Sequence, residues 1–128
     1  MTPDALIAKA VEVRRKAHAP YSKYLVGAAL LAKDGRVFVG CNVEIASYGL
    51  TCCAERNAVF AAVAAGAKKF VAVAVVTANG GSPCGACRQV LREFGPKLLV
   101  IMATPKGKAV AATLDDLLPG SFGPEHLK

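Results

Sequence analysis

FVAVAVVTANGGSPCGACRQVLREFG, residues 70–95, decides the fold, because a strand, a loop and a helix follow one another in it. Residues 70–77 are β-branched and continuously apolar, the composition of a central strand covered on both faces. The loop TANGGSP leads into PCGACRQVLREF, which reads as a helix that stops at Gly95 and Pro96. Two cysteines three apart, Cys84 and Cys87, open that helix and share one face of it. Two cysteines do not close a metal site, so the remaining ligands have to come from elsewhere in the chain.

Outward from this stretch, helix and strand patterns alternate. Residues 3–17 repeat apolar positions at helical spacing (Leu6, Ile7, Ala10, Val11, Val13), with Thr2 as N-cap and Pro3 at the first helical position. YLVGAALLA and VFVGCNV flank a turn at Asp34-Gly35, which predicts an antiparallel hairpin over residues 24–43. Residues 52–65 read as a second helix that ends at Gly66. Its body from Ala58 to Ala65 is apolar on every face, so full burial calls for another subunit. LLVIMAT and KAVAAT add two strands, and TLDDLLP a last helical turn. No repeat, linker or low-complexity tract interrupts residues 1–128, and one layered α/β domain is the economical reading.

With 128 residues and 54% hydrophobic side chains, the chain is long enough for one real core and too apolar for a disordered tail. A formal charge of +7 would suit a polyanion, yet Lys and Arg are scattered and never form a long run. They read as solvated surface, which argues against a nucleic-acid partner. No stretch approaches the length of a membrane span, and the opening MTPDALIAKAVEVRRK is charged and amphipathic, unlike a signal peptide. The expected location is therefore the cytoplasm. Reducing conditions there disfavour disulfides, so five clustered cysteines ask for metal or catalytic chemistry, with Cys41 lying apart.

Cys53 sits at the start of the 52–65 helix, as Cys84 and Cys87 do in the other. Helix N-termini favour thiolate over thiol, and three converging thiolates would hold zinc with one coordination position open. On spacing alone three readings stand: a catalytic zinc, a structural zinc closed by Cys52, and a redox pair. Cys52 is a poor fourth ligand, since neighbouring helical residues point about 100° apart. His18 and His126 have no ligand spacing and read as surface residues. Glu55, two residues beyond Cys53, is placed to act beside the metal without binding it, either as a proton carrier or merely as an acid complementing a helix start.

CAE at 53–55 followed by PCGAC at 83–87 resembles the zinc-dependent nucleoside and base deaminases, whose signature is His or Cys, then Glu, then PCxxC. APYSKYLVGAALL, GCNVE, CAERNAVFAA, SPCGACRQVL and LLPGSF extend the likeness to the small homotetrameric cytidine deaminases, in order and over most of the chain. The resemblance implies a three-layer α/β/α sandwich with a mixed five-stranded sheet, and one Zn2+ per chain on Cys53, Cys84 and Cys87. It implies hydrolysis of a cyclic amidine C–N bond: cytidine or deoxycytidine becomes uridine or deoxyuridine and ammonia leaves, a step of pyrimidine salvage. Glu55 is then the proton shuttle, and Arg56 offsets the thiolate charge. Asn42 and Glu44 would hold the ribose hydroxyls.

Tyr24, where the family usually has Phe, would pack on the base, with its hydroxyl needing a partner. Ala54 would join the substrate site of its own chain, while Ala46, Tyr48 and Phe122 would line a site shared between subunits of a homotetramer. Ile45 departs from the family's usual Asn after NxE, and the loop at 77–83 looks short. Three rivals are a polynucleotide deaminase, a blasticidin-type deaminase and a zinc-stabilised scaffold. The first more often has His as first ligand and needs a phosphate-binding groove, the second fits the Asn42 and Glu44 pair less well, and the third has no use for Glu55.

Overall fold

The computed structural model describes residues 1–127; Lys128, the last residue of the expected 1–128 unit, lies outside the described residues. Its helices are α1 (Pro3–Arg14), α2 (Ala54–Ala64), α3 (Gly85–Arg92) and α4 (Leu114–Leu117), and its strands β1 (Gly27–Ala32), β2 (Val37–Cys41), β3 (Phe70–Val76), β4 (Leu99–Ala103) and β5 (Ala109–Thr113). The strands form one mixed sheet in the order β2-β1-β3-β4-β5. Only β3 and β4 run parallel; the other neighbours are antiparallel. The expected mixed five-stranded sheet is present.

Strand alternation sends the two faces of β3 into two cores. Ala72, Ala74 and Val76 meet Leu6, Ile7 and Ala10 of α1 on one side. Val73 and Val75 meet Ala58, Val59 and Ala62 of α2 and Leu91 of α3 on the other. These layers make the three-layer sandwich, with α1 alone on one face. Close approach is bought by glycine: a Cβ on Gly40 of β2 would lie 2.5 Å from both the Ala54 carbonyl oxygen and the Ala58 nitrogen. That contact seats the start of α2 against the sheet.

Element ends differ from the sequence reading for local reasons. The hairpin strand begins at Gly27, not Tyr24, because the Asn42 side chain takes the backbone there: its Oδ1 accepts from the Val26 N–H at 2.9 Å and its Nδ2 donates to the Tyr24 carbonyl at 2.9 Å. Helix α2 starts at Ala54 because Cys52 pairs with Val43 through two backbone hydrogen bonds and is thereby held extended. Helix α1 ends at Arg14, and the expected turn to residue 17 survives only as i to i−3 bonds from Lys16 and Ala17. The last turn is α4, closed by a capping box between Thr113 and Asp116. Helix α2 is not buried on all sides within one chain: Phe60 stays 53% exposed and Val63 39%.

Candidate functional site

Cys53 and Cys84 are the N-cap residues of α2 and α3, both with extended backbone and neither using its side chain to cap. Each sulfur is therefore free to point past its helix. Cys87 stands one turn into α3, fully buried, on the same face as Cys84. The Cys84 and Cys87 sulfurs lie 3.4 Å apart, those of Cys53 and Cys84 3.9 Å apart, and all three within 4.8 Å of one another. A tetrahedral zinc with bonds of about 2.3 Å sets its sulfurs about 3.8 Å apart, so the three thiolates fit that ion and leave a fourth position open. Cys52, held in its extended bridge, is not among them, and neither are His18 and His126.

The electrostatics of the cluster follow from its neighbours. The Arg56 guanidinium donates to the Cys53 sulfur at 3.4 Å. Cys53 is drawn down to about 5, chiefly by its hydrogen bond with Cys87 and then by Arg56, against opposing burial. Cys87 moves the other way, above the ordinary thiol range, because it keeps the proton it shares with Cys53. The Cys53 hydrogen bond in turn raises Arg56, which holds the guanidinium charged. Glu55, in the first turn of α2, is only 4% exposed, and burial pushes its carboxyl up to about 7. A carboxyl kept out of water beside a soft-metal site is suited to carry a proton.

Cys53, Glu55 and Cys84 line a cavity of about 310 Å³ together with Tyr24, Asn42 and Glu44. That volume suits one small molecule. Asn42 and Glu44 are both nearly buried. The Glu44 carboxylate accepts from the backbone N–H of Tyr21 and Ser22 at 3.0 and 3.1 Å and from the Ser22 hydroxyl, and the last bond leads in holding its pKa below the usual carboxylate range. After its two backbone bonds, Asn42 still has one N–H and one lone pair to offer. Tyr24 has found the partner its hydroxyl required, donating to Asn79 Oδ1 at 2.7 Å.

Four expected residues are not gathered into this cavity. Ala54 is fully buried in the core behind it, while Ala46 is exposed, Tyr48 is 72% exposed and Phe122 is 55% exposed. Phe122 is nonetheless held firmly: Gln89 donates to its carbonyl at 2.9 Å, and the buried Arg92 pins the same segment through Ser121 and Glu125 at 2.8 and 2.6 Å. Ile45 lies outside the cavity, its N–H bonded to the Thr51 hydroxyl. Sequence reasoning missed Ser22, Thr51, Thr77 and Ser82 on the cavity wall, and Asn79 beside it. Small hydroxyl residues in loops carry no periodicity, and only the positions of Ser22 and Ser82 in matched segments hinted at them. A larger apolar groove of about 750 Å³ runs along Val59, Phe60, Val63, Phe94 and Phe122. It contains none of the sulfurs or Glu55, so the chemistry belongs to the smaller cavity.

The zinc-binding region of cytidine and deoxycytidylate deaminases matches residues 2–103. A cytidine deaminase from Sporosarcina psychrophila is 48% identical over 130 residues, covering 99% of this chain and 96% of the relative. One from Mycobacterium tuberculosis is 45% identical over 120 residues, covering 92% and 87%. Among solved structures, a cytidine deaminase from Burkholderia pseudomallei superposes with a TM-score of 0.91 at 53% identity, over 95% of this chain and 100% of that one.

Proposed function

We propose, from the premise that this chain belongs to the zinc-binding cytidine and deoxycytidylate deaminase family, that its cavity deaminates free cytidine and deoxycytidine. The chain is an enzyme, a zinc-dependent hydrolase of the deaminase class. One water is consumed, the exocyclic amine leaves as ammonia, and uridine or deoxyuridine remains. The observation that carries the site assignment is the convergence of three sulfurs from two helix starts beside a buried carboxyl in one nucleoside-sized cavity.

Cys53, Cys84 and Cys87 are the residues that would hold the zinc. Bound there, the ion supplies the Lewis acidity that makes water nucleophilic near neutral pH. Glu55 moves the protons: it accepts one from the attacking water and passes it to ring N3, then takes the second from the new C4 hydroxyl as that becomes a carbonyl and hands it to the departing amine. Arg56 stabilises the thiolate charge through the Cys53 sulfur, which keeps the three-sulfur site from becoming too electron-rich to acidify water. Asn42 and Glu44 bind the ribose with the donor and acceptor capacity their backbone bonds leave over. Burial of both beside the cavity supports this, because a hydroxyl bound there meets polar groups already stripped of water. Tyr24 packs its ring on the base.

The chain acts as one catalytic domain over residues 1–128, supported by a single sheet with a core on each face. It assembles as a homotetramer. The apolar groove at Phe60, Val63 and Phe122 supports that reading, as an exposed face that a second copy would cover. In the assembly Ala46, Tyr48 and Phe122 reach a neighbouring subunit's cavity, and Ala54 backs the substrate in its own. No helix among the described residues is long and apolar enough to cross a membrane. The enzyme works in the cytoplasm in pyrimidine salvage.

The test is the ultraviolet absorbance change when zinc-loaded protein meets cytidine, with deoxycytidine, blasticidin S and an RNA hairpin in parallel. Turnover of the two free nucleosides with about one zinc per chain is expected. Turnover of the hairpin or the antibiotic alone would overturn the nucleoside assignment, and turnover of none of them, with zinc bound, would point to the scaffold.

A further inference from the structure

The cavity has two walls that leave the sheet at one place and then separate. Gly27 at the start of β1 pairs with Val76 at the end of β3. Beyond that pair, the 19–26 segment brings Tyr24 and Ser22 to one wall, and the 77–84 segment brings Thr77, Ser82 and Cys84 to the other. Among the hydrogen bonds of the described residues, a single one crosses between these segments, the 2.7 Å bond from the Tyr24 hydroxyl to Asn79 Oδ1.

That bond ends in a small network. Asn79 Oδ1 also accepts from the Thr77 hydroxyl at 3.3 Å, and the Thr77 oxygen accepts from the Gly81 N–H at 2.8 Å. The loop passes close to the tyrosine, since a Cβ on Gly81 would lie 2.9 Å from the Tyr24 hydroxyl. Thr77 is buried, whereas Tyr24 and Asn79 stand at the cavity rim. The inner end of the network is thus fixed by the sheet, and its outer end is tied to the opposite wall by the phenol.

We propose that Tyr24 and Asn79 brace the mouth of the cavity, holding the 77–82 wall against the 24–26 wall and so setting affinity for the nucleoside. Asn79 and the Tyr24 hydroxyl act by positioning, apart from the Tyr24 ring that meets the base and that Tyr24→Phe retains, and the proposal rests on the cavity being the nucleoside site. Glu55 enters from α2, outside the brace. Loosening the wall therefore weakens substrate and transition state alike, which raises KM and spares kcat.

The experiment uses zinc-loaded full-length protein and four variants: Tyr24→Phe, Asn79→Ala, the two combined, and Asn79→Asp, which keeps an acceptor oxygen in place. Tyr24→Phe and Asn79→Ala each raise KM for cytidine by about three- to tenfold with kcat within about twofold, the range expected for losing one hydrogen bond. The double variant is no worse than either single one, because both remove the same bond. Asn79→Asp recovers most of the loss. Hydrogen exchange over residues 78–82, the Gly81 N–H above all, speeds up in the Phe and Ala variants by a similar factor.

Unchanged KM and unchanged exchange, or additive losses in the double variant, would overturn the brace. So would a rise in KM without faster exchange, since the hydroxyl would then be acting on the substrate itself. Faster exchange in a protein whose parent form turns over no cytidine would support the brace and sink the nucleoside reading instead.

Discussion

Glu55 and Glu44 are both nearly buried carboxyls beside one cavity, yet their surroundings push them apart. Burial raises Glu55, whereas the Ser22 hydroxyl and two backbone N–H groups lower Glu44. One is suited to carry a proton and the other to stay ionised. Replacing Glu55 with Gln keeps the volume and the helix start while removing the proton site. It should leave zinc content and assembly intact and lower kcat by about 10²- to 10⁴-fold; metal analysis beside a turnover assay checks this. Glu44→Ala should lose activity on cytidine more than on free cytosine, which lacks the ribose. It should also unfold at lower temperature, because the carboxylate ties residues 21 and 22 to the loop after β2. The sign of its pH dependence follows from the depressed value. A carboxyl lowered by folding stabilises the fold above its unfolded pKa of about 4.3, and that contribution is lost as pH falls through the lower folded value. The difference in melting temperature between parent and variant is therefore present at neutral pH and shrinks in acid; an undiminished gap in acid would show that the bonds to Glu44 do not depend on its charge.

At the scale of elements, the site is two helix starts delivered to one point. The sulfur cluster depends on how closely α2 lies on the sheet, and that distance is set by the missing side chain at Gly40. Gly40→Ala drives a methyl into the backbone of Ala54 and Ala58, one residue from Cys53 and three beyond Glu55. It should destabilise the fold by about 1–3 kcal/mol and weaken zinc retention with it. Thermal unfolding with and without a competing chelator would read both effects, and a stable variant that keeps its zinc would show that α2 can shift without moving Cys53. The i, i+3 spacing of Cys84 and Cys87 was legible from the helical period alone. The capping positions of Cys53 and Cys84 were not, because they depend on where the chain, held extended by the Cys52 bridge before α2 and extended at Cys84 before α3, turns into each helix.

For the whole molecule, Phe60 and Val63 stand on the outer face of α2, and Phe122 is clamped beside them by Gln89, Arg92 and Glu125. An exposed aromatic ring on a segment held by a buried arginine is consistent with the proposed assembly through this face. Phe60→Asp should yield smaller species by analytical ultracentrifugation while the isolated chain keeps its helical content. If Phe122 completes a neighbour's cavity, activity falls with assembly; retained activity in a dissociated form would separate the two.

The sequence by itself determined the layered α/β class and marked Cys53, Cys84, Cys87 and Glu55 as candidates, because helical period, strand composition and residue chemistry are local properties. It also marked the polar pair Asn42 and Glu44 through a matched segment. Only the tertiary structure decided that Asn42 substitutes for strand pairing at Tyr24, that Glu44 anchors the 21–22 loop, and that the Tyr24 hydroxyl meets Asn79. Those bonds join residues 16 to 55 positions apart in the chain. No local pattern encodes which backbone group a side-chain amide will meet once the sheet has brought the segments together.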